Sequence, residues 1–158
     1  MGRQTCSWGD TTALTSDWGK EASRIKWQGK RGMLWKELWA TLNKMVSGNS
    51  APDALVLHLG ENDLEREKGL AIMKKMKEDM KEIGRKWSGA FMMWNEWVPC
   101  RVWRGAERQA VIDRASRKVN AKMRSFCREK GFGRIVHTGI AYSEVGFFRS
   151  DGVHLSKV

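Results

Sequence analysis

Four short apolar runs, separated by stretches of helical periodicity, constrain the fold of this chain more than any other feature of its sequence. "SRIKW" (23–27), "ALVLHL" (54–59), "AFMMW" (90–94) and "GRIVH" (133–137) have the length and composition of strands. Between them, Leu34, Leu38, Leu42 and Val46 recur every four residues with Trp35 and Trp39 alongside. That is an amphipathic helix, stopped by "SGNSAPD". Leu70, Met73, Met76, Met80 and Ile83 mark a second helix whose methionine stripe reads as core, with Gly84 and Gly89 at its exit. A third runs from about Ala106 to Lys130, with Val111, Ala115, Val119, Met123 and Phe126 on one face. Strands alternating with helices predict a parallel sheet with helices on both faces, and "ALVLHL", apolar almost throughout, reads as a strand covered on both sides. At 158 residues, with two prolines and no repeat, the chain predicts a single domain over 1–158.

Composition removes several classes. No window approaches 18 consecutive apolar residues, so no membrane span is predicted. "MGRQTCSWGD" lacks an apolar h-region, so no secretory signal is expected, and Cys6 stands where acylation of Gly2 would need Ser or Thr. Cys6, Cys100 and Cys127 form neither a CxxC pair nor a Cys/His ligand set, so no metal, cofactor or disulfide framework is expected. Free thiols fit a reducing compartment, the cytoplasm or the nucleus. The formal charge of +11 suits polyanionic partners. Segment 101–130 carries ten Lys and Arg against Glu107, Asp113 and Glu129. It reads either as a solvated helix face or as a nucleic-acid contact.

Ligands of parallel α/β sheets bind beyond the carboxyl ends of the strands, and two polar clusters stand at such places. The first is Gly60-Glu61-Asn62-Asp63, directly after "LVLHL"; the second is Asp151-Gly152-Val153-His154. An Asp three residues before a His can fix the imidazole tautomer, the orienter and base of an acyl-transfer triad. An Asn after a strand can donate its amide N–H to a developing oxyanion. Each cluster alone also reads as a turn that caps the next helix. His58, inside an apolar run, reads as a satisfied near-core histidine, and His137 as a strand-end residue.

Taken together and in this order, "GEND" (60–63) and "DGVH" (151–154) resemble two of the four sequence blocks of the SGNH, or GDSL-type, hydrolase superfamily. "GKRGM" is similar to the block that carries the family's oxyanion glycine, with Gly32 in that place and Gly29 the alternative. "WQGKRGM", "LVLHLGENDL", "RKVNAKM" and "RSDGVHLS" are similar to the SGNH-like domains of vertebrate, especially fish, proteins, some of them derived from LINE-type retrotransposons. The resemblance covers roughly 20–158. It implies a flavodoxin-like, three-layer α/β/α fold of about five parallel strands and an ester hydrolase acting on a small ester through an acyl-enzyme. It implies His154 as general base, Asp151 as its orienter, Asn62 and Gly32 as oxyanion donors, and Gly60 and Asp63 as supports of the loop. The rival expectation is a non-catalytic basic module of the same fold that binds nucleic acid or a protein partner.

The family's first block is Gly-Asp-Ser, and the nearest stretch here is "CSWGDTTA" (6–13), with Thr11 after Gly9-Asp10. Two readings of 1–19 stand. In one, Arg3–Trp8 is a shortened first strand and Thr11 occupies the nucleophile position, where its β-branched hydroxyl slows attack. In the other, the first block is missing and 1–19 is unrelated sequence. In the family a helix follows Asp-x-x-His and covers the sheet; with that helix missing after Val158 and the first strand poor or missing, an exposed apolar surface and marginal stability are expected unless the N-terminal stretch pairs with the sheet.

Overall fold

Parallel strands cannot be joined by a tight turn; each needs a crossover, and this chain supplies a helix for each. A computed structural model of the protein describes residues 28–30, 32–46, 51–100, 102–103, 107–140, 146–148 and 150. A 3-10 turn, Trp35–Glu37, leads into α1 (Leu38–Val46). Then follow β1 (Ala54–Leu57), a second 3-10 turn (Glu61–Glu65), α2 (Gly69–Lys86), β2 (Phe91–Asn95), α3 (Gln109–Lys130) and β3 (Gly133–Ile135). The three strands are parallel in the order β1-β2-β3, with Val56 opposite Met93 and Asn95 opposite Ile135. Of the expected strands, those over 3–8 and 23–27 lie outside the described residues.

Successive strand side chains point to opposite faces, and here the two faces differ. Leu55, Leu57, Met92 and Trp94 are buried in one core cluster with Leu38 and Leu42 of α1, Met76 and Met80 of α2, and Val119 and Met123 of α3. Each such side chain contributes roughly 1.5–3 kcal/mol relative to staying in water. On the other face Val56 is 44% exposed, Phe91 54% and Ile135 37%. The prediction that "ALVLHL" is covered on both sides is therefore corrected: β1 alternates, and the described residues form two layers, the sheet and the helices on one face. A continuous apolar run cannot by itself distinguish a doubly covered strand from one whose outer side chains stand in solvent.

The helix periods hold with two shifts. Ile72, Met76, Met80 and Ile83 are the fully buried row of α2, whereas Leu70, two residues and about 200° around the helix from Ile72, is 74% exposed. In the first turn of α3, Ile112 packs on the core and Val111 stays outside. Buried tryptophans join the layers. Trp94 meets Trp35 and Trp97 edge-on at 6.4 and 5.9 Å, and the indole N–H groups of Trp35 and Trp39 both donate to Asp79 of α2, at 2.7 and 2.8 Å.

Candidate active site

The turn after β1 exists because Gly60 is a glycine. Its φ of +105° lies in the left-handed region, and a Cβ there would stand 3.0 Å from the Trp97 ring and 3.3 Å from the Trp35 ring. This bend lets the backbone pass between two indoles and begin the Glu61–Glu65 turn at the carboxyl end of the strand. Glu61 and Asp63 are buried and Asn62 is half-buried.

On one side, this turn is fastened to the glycine-containing loop that precedes α1. The Asn62 amide Nδ2 donates to the Met33 carbonyl at 3.1 Å, and the Asp63 Oδ2 accepts the Trp35 backbone N–H at 2.9 Å. Within the loop, Met33 N–H donates to Lys30 O at 3.0 Å, with Gly32 at a φ of +69° between them. Glu37 closes the same loop by accepting the Leu34 N–H at 3.0 Å and the Lys30 ammonium at 2.5 Å, and these bonds hold its carboxyl below the usual value. Burial pushes the Asp63 carboxyl up, a shift that the Trp35 N–H partly offsets.

On its other side the turn faces imidazoles. His58 Nδ1 lies 3.3 Å from the Asn95 carbonyl oxygen, which can only accept, so Nδ1 carries the proton. The Glu61 Oε2 lies 3.8 Å from His58 Nε2. Burial pushes His58 down to about 4 and Glu61 up to about 8, so at neutral pH this is a contact of two uncharged groups rather than a salt bridge. His137 Nε2 is 2.7 Å from Asn95 Oδ1, its ring 6.4 Å from that of His58, and burial lowers its pKa. Beneath them, Glu96 takes a two-pronged ion pair from Arg124 of α3, both contacts at 2.6 Å.

Of the residues the sequence singles out, the structure brings Gly32, Gly60, Asn62 and Asp63 into one neighbourhood. Gly29, the alternative oxyanion glycine, is exposed, and a Cβ there would meet nothing within 4 Å. Thr11, Asp151 and His154 lie outside the described residues. Sequence alone assigns no role to Glu61 within the Gly60–Asp63 cluster and does not single out Asn95. Their signal was the one that exposed Asn62, a polar residue directly after an apolar strand run, and "NEW" after "AFMMW" carries it. Among the described residues no group of three or more His, Cys, Asp and Glu could hold a metal, and no helix is long and apolar enough to cross a membrane. No family model matches the chain, and no curated protein matches it in sequence.

Proposed function

We propose that the protein is an ester hydrolase of the SGNH type, working through an acyl-enzyme on a flavodoxin-like parallel sheet of about five strands. The observation that carries this reading is the 3.1 Å bond from Asn62 Nδ2 to the Met33 carbonyl. It fastens Asn62, at the carboxyl end of β1, to the loop that carries Gly32, and leaves the amide's second N–H without a partner among the described residues. An amide N–H after a parallel strand, with a glycine N–H from the neighbouring loop, is the donor pair that a tetrahedral oxyanion needs.

In the reaction, the Thr11 hydroxyl attacks the carbonyl of a small ester while His154, oriented by Asp151, takes its proton. Asn62 and Gly32 hold the oxyanion, the alcohol leaves with the proton from His154, and water hydrolyses the acyl-enzyme by the same route. No cofactor enters. Turnover of p-nitrophenyl acetate by the full chain and by His154→Ala tests the reading, and equal rates would end it. Thr11→Ser, which removes the methyl that crowds attack, is expected to raise the rate.

A further inference from the structure

The outer surface of the helical layer carries a charge pattern that the ester-hydrolase reading does not use. Helices α2 and α3 each follow one strand of a parallel sheet, and they lie side by side. A Cβ on Gly69 would come within 3.4 Å of Ala115 and Val119, and one on Gly84 within 3.2 Å of Phe132. The seam between them therefore runs from Gly69 to Gly84 along α2, and from Ala115 of α3 to Phe132 just past its end. Lys74, Lys77 and Lys81 are spaced three and four residues apart on α2, and Arg114, Lys118 and Lys122 four apart on α3, so each set forms a row.

The α2 row meets the seam at Phe126, a buried ring of α3. The Lys77 and Lys81 ammoniums of α2 stand 5.5 and 5.9 Å from its centroid. The cation–π contact holds these two charges at the surface without neutralising them. None of the six basic groups meets a carboxylate among the described residues. The ion pairs found there involve Lys30, Lys75, Arg124 and Lys130, all outside the two rows. Of the nearby acids, Asp79 is engaged by the Trp35 and Trp39 indoles, Asp113 by the Trp103 indole at 2.9 Å and Glu129 by Lys130 at 3.2 Å, while Glu78 and Glu82 are exposed on α2 one turn or less from the Lys row.

We infer that the α2–α3 seam is a binding surface for the phosphate backbone of a nucleic-acid strand. Two rows of cations that meet no carboxylate among the described residues suit a ligand whose negative charges repeat along a line. An anionic membrane fits less well, because Leu70 and Val111 are the two large apolar side chains that α2 and α3 expose, and that is little to insert into lipid.

Anisotropy of a labelled single-stranded oligonucleotide, titrated with the full chain between 50 and 200 mM salt, tests this. The Lys77→Gln/Lys81→Gln and Lys118→Gln/Lys122→Gln pairs are each expected to weaken binding and to lower the steepness of its salt dependence by about 1.4, roughly 0.7 per lost phosphate contact. The control pair Lys36→Gln/Lys86→Gln removes the same charge beside α1, from the turn that precedes it and from the last residue of α2, whose ammonium reaches Asn43, and is expected to leave the slope near that of the parent. The inference is overturned if the parent does not bind, if folded seam variants keep the parent slope, or if the control pair loses as much as they do. Tighter capture by phosphatidylserine vesicles than by the oligonucleotide would equally overturn it, in favour of a membrane.

Discussion

The two sides of the Glu61–Glu65 turn hold buried carboxyl groups by opposite means. Toward the Gly32 loop, Asp63 receives a backbone N–H and Asn62 gives one to a carbonyl, so the contact is made of directed hydrogen bonds. Toward the histidines, Glu61 is buried against His58 at 3.8 Å, beyond hydrogen-bond distance, and sheds the cost of burial by keeping its proton. One side therefore fixes geometry and the other stores a dependence on pH. A turn separated by three residues from its own strand end can do both because Gly60 lets the backbone pass between Trp35 and Trp97.

Breaking both sides at once should have the largest effect. Gly60→Ala forces a side chain into a left-handed backbone 3.0 Å from an indole, and is expected to cost about 2–4 kcal/mol, read as a drop in the urea midpoint. A loss under about 0.5 kcal/mol would mean that the turn relaxes without cost.

The histidine side alone is addressed by pH. Below 4.5 both folded and unfolded states hold the Glu61 proton; between 4.5 and about 8 the unfolded chain releases it first, so this group makes stability fall as pH rises. His58 acts in the other direction between 6.5 and about 4, where the unfolded chain binds its proton first and stability is lost as pH falls. The two oppose each other from 4.5 to 6.5, which leaves the Glu61 slope visible from 6.5 to 8. There it is worth about 1.4 kcal/mol per pH unit, and Glu61→Gln is expected to remove about 2 kcal/mol of decline across the window. Denaturation at the two ends of that window checks it, and an unchanged decline would mean that Glu61 is ionised in the fold.

The hydrogen-bonded side should tolerate loss of charge. Asp63→Asn keeps an oxygen to accept the Trp35 N–H, and is expected to cost under about 1 kcal/mol near neutral pH, by the same measurement.

This contrast also marks what could be read from the chain. Periodicity located α1, α2, α3 and the three strands, because apolar spacing is a local consequence of which face is buried. "GEND" stood out because a polar cluster after a strand is conspicuous in any register. Pairings across the fold were not legible. Asp79 binds two indoles 40 and 44 residues away, and Asp63 binds an N–H 28 residues away; nothing local in either Asp indicates its partner. The exposure of Val56 and Leu70 was hidden for a related reason: an apolar residue looks the same in sequence whether a layer covers it or not.

The central claim is that Asn62 is pinned by one N–H so that the other can serve an oxyanion. Steady-state hydrolysis of p-nitrophenyl acetate by Asn62→Ala tests it most directly, with circular dichroism to show that the variant is folded. The expected result is a kcat lower by about 10²–10³ with KM little changed, since the lost bond belongs to the transition state. A folded Asn62→Ala protein that turns over the ester with the parent kcat would contradict the claim.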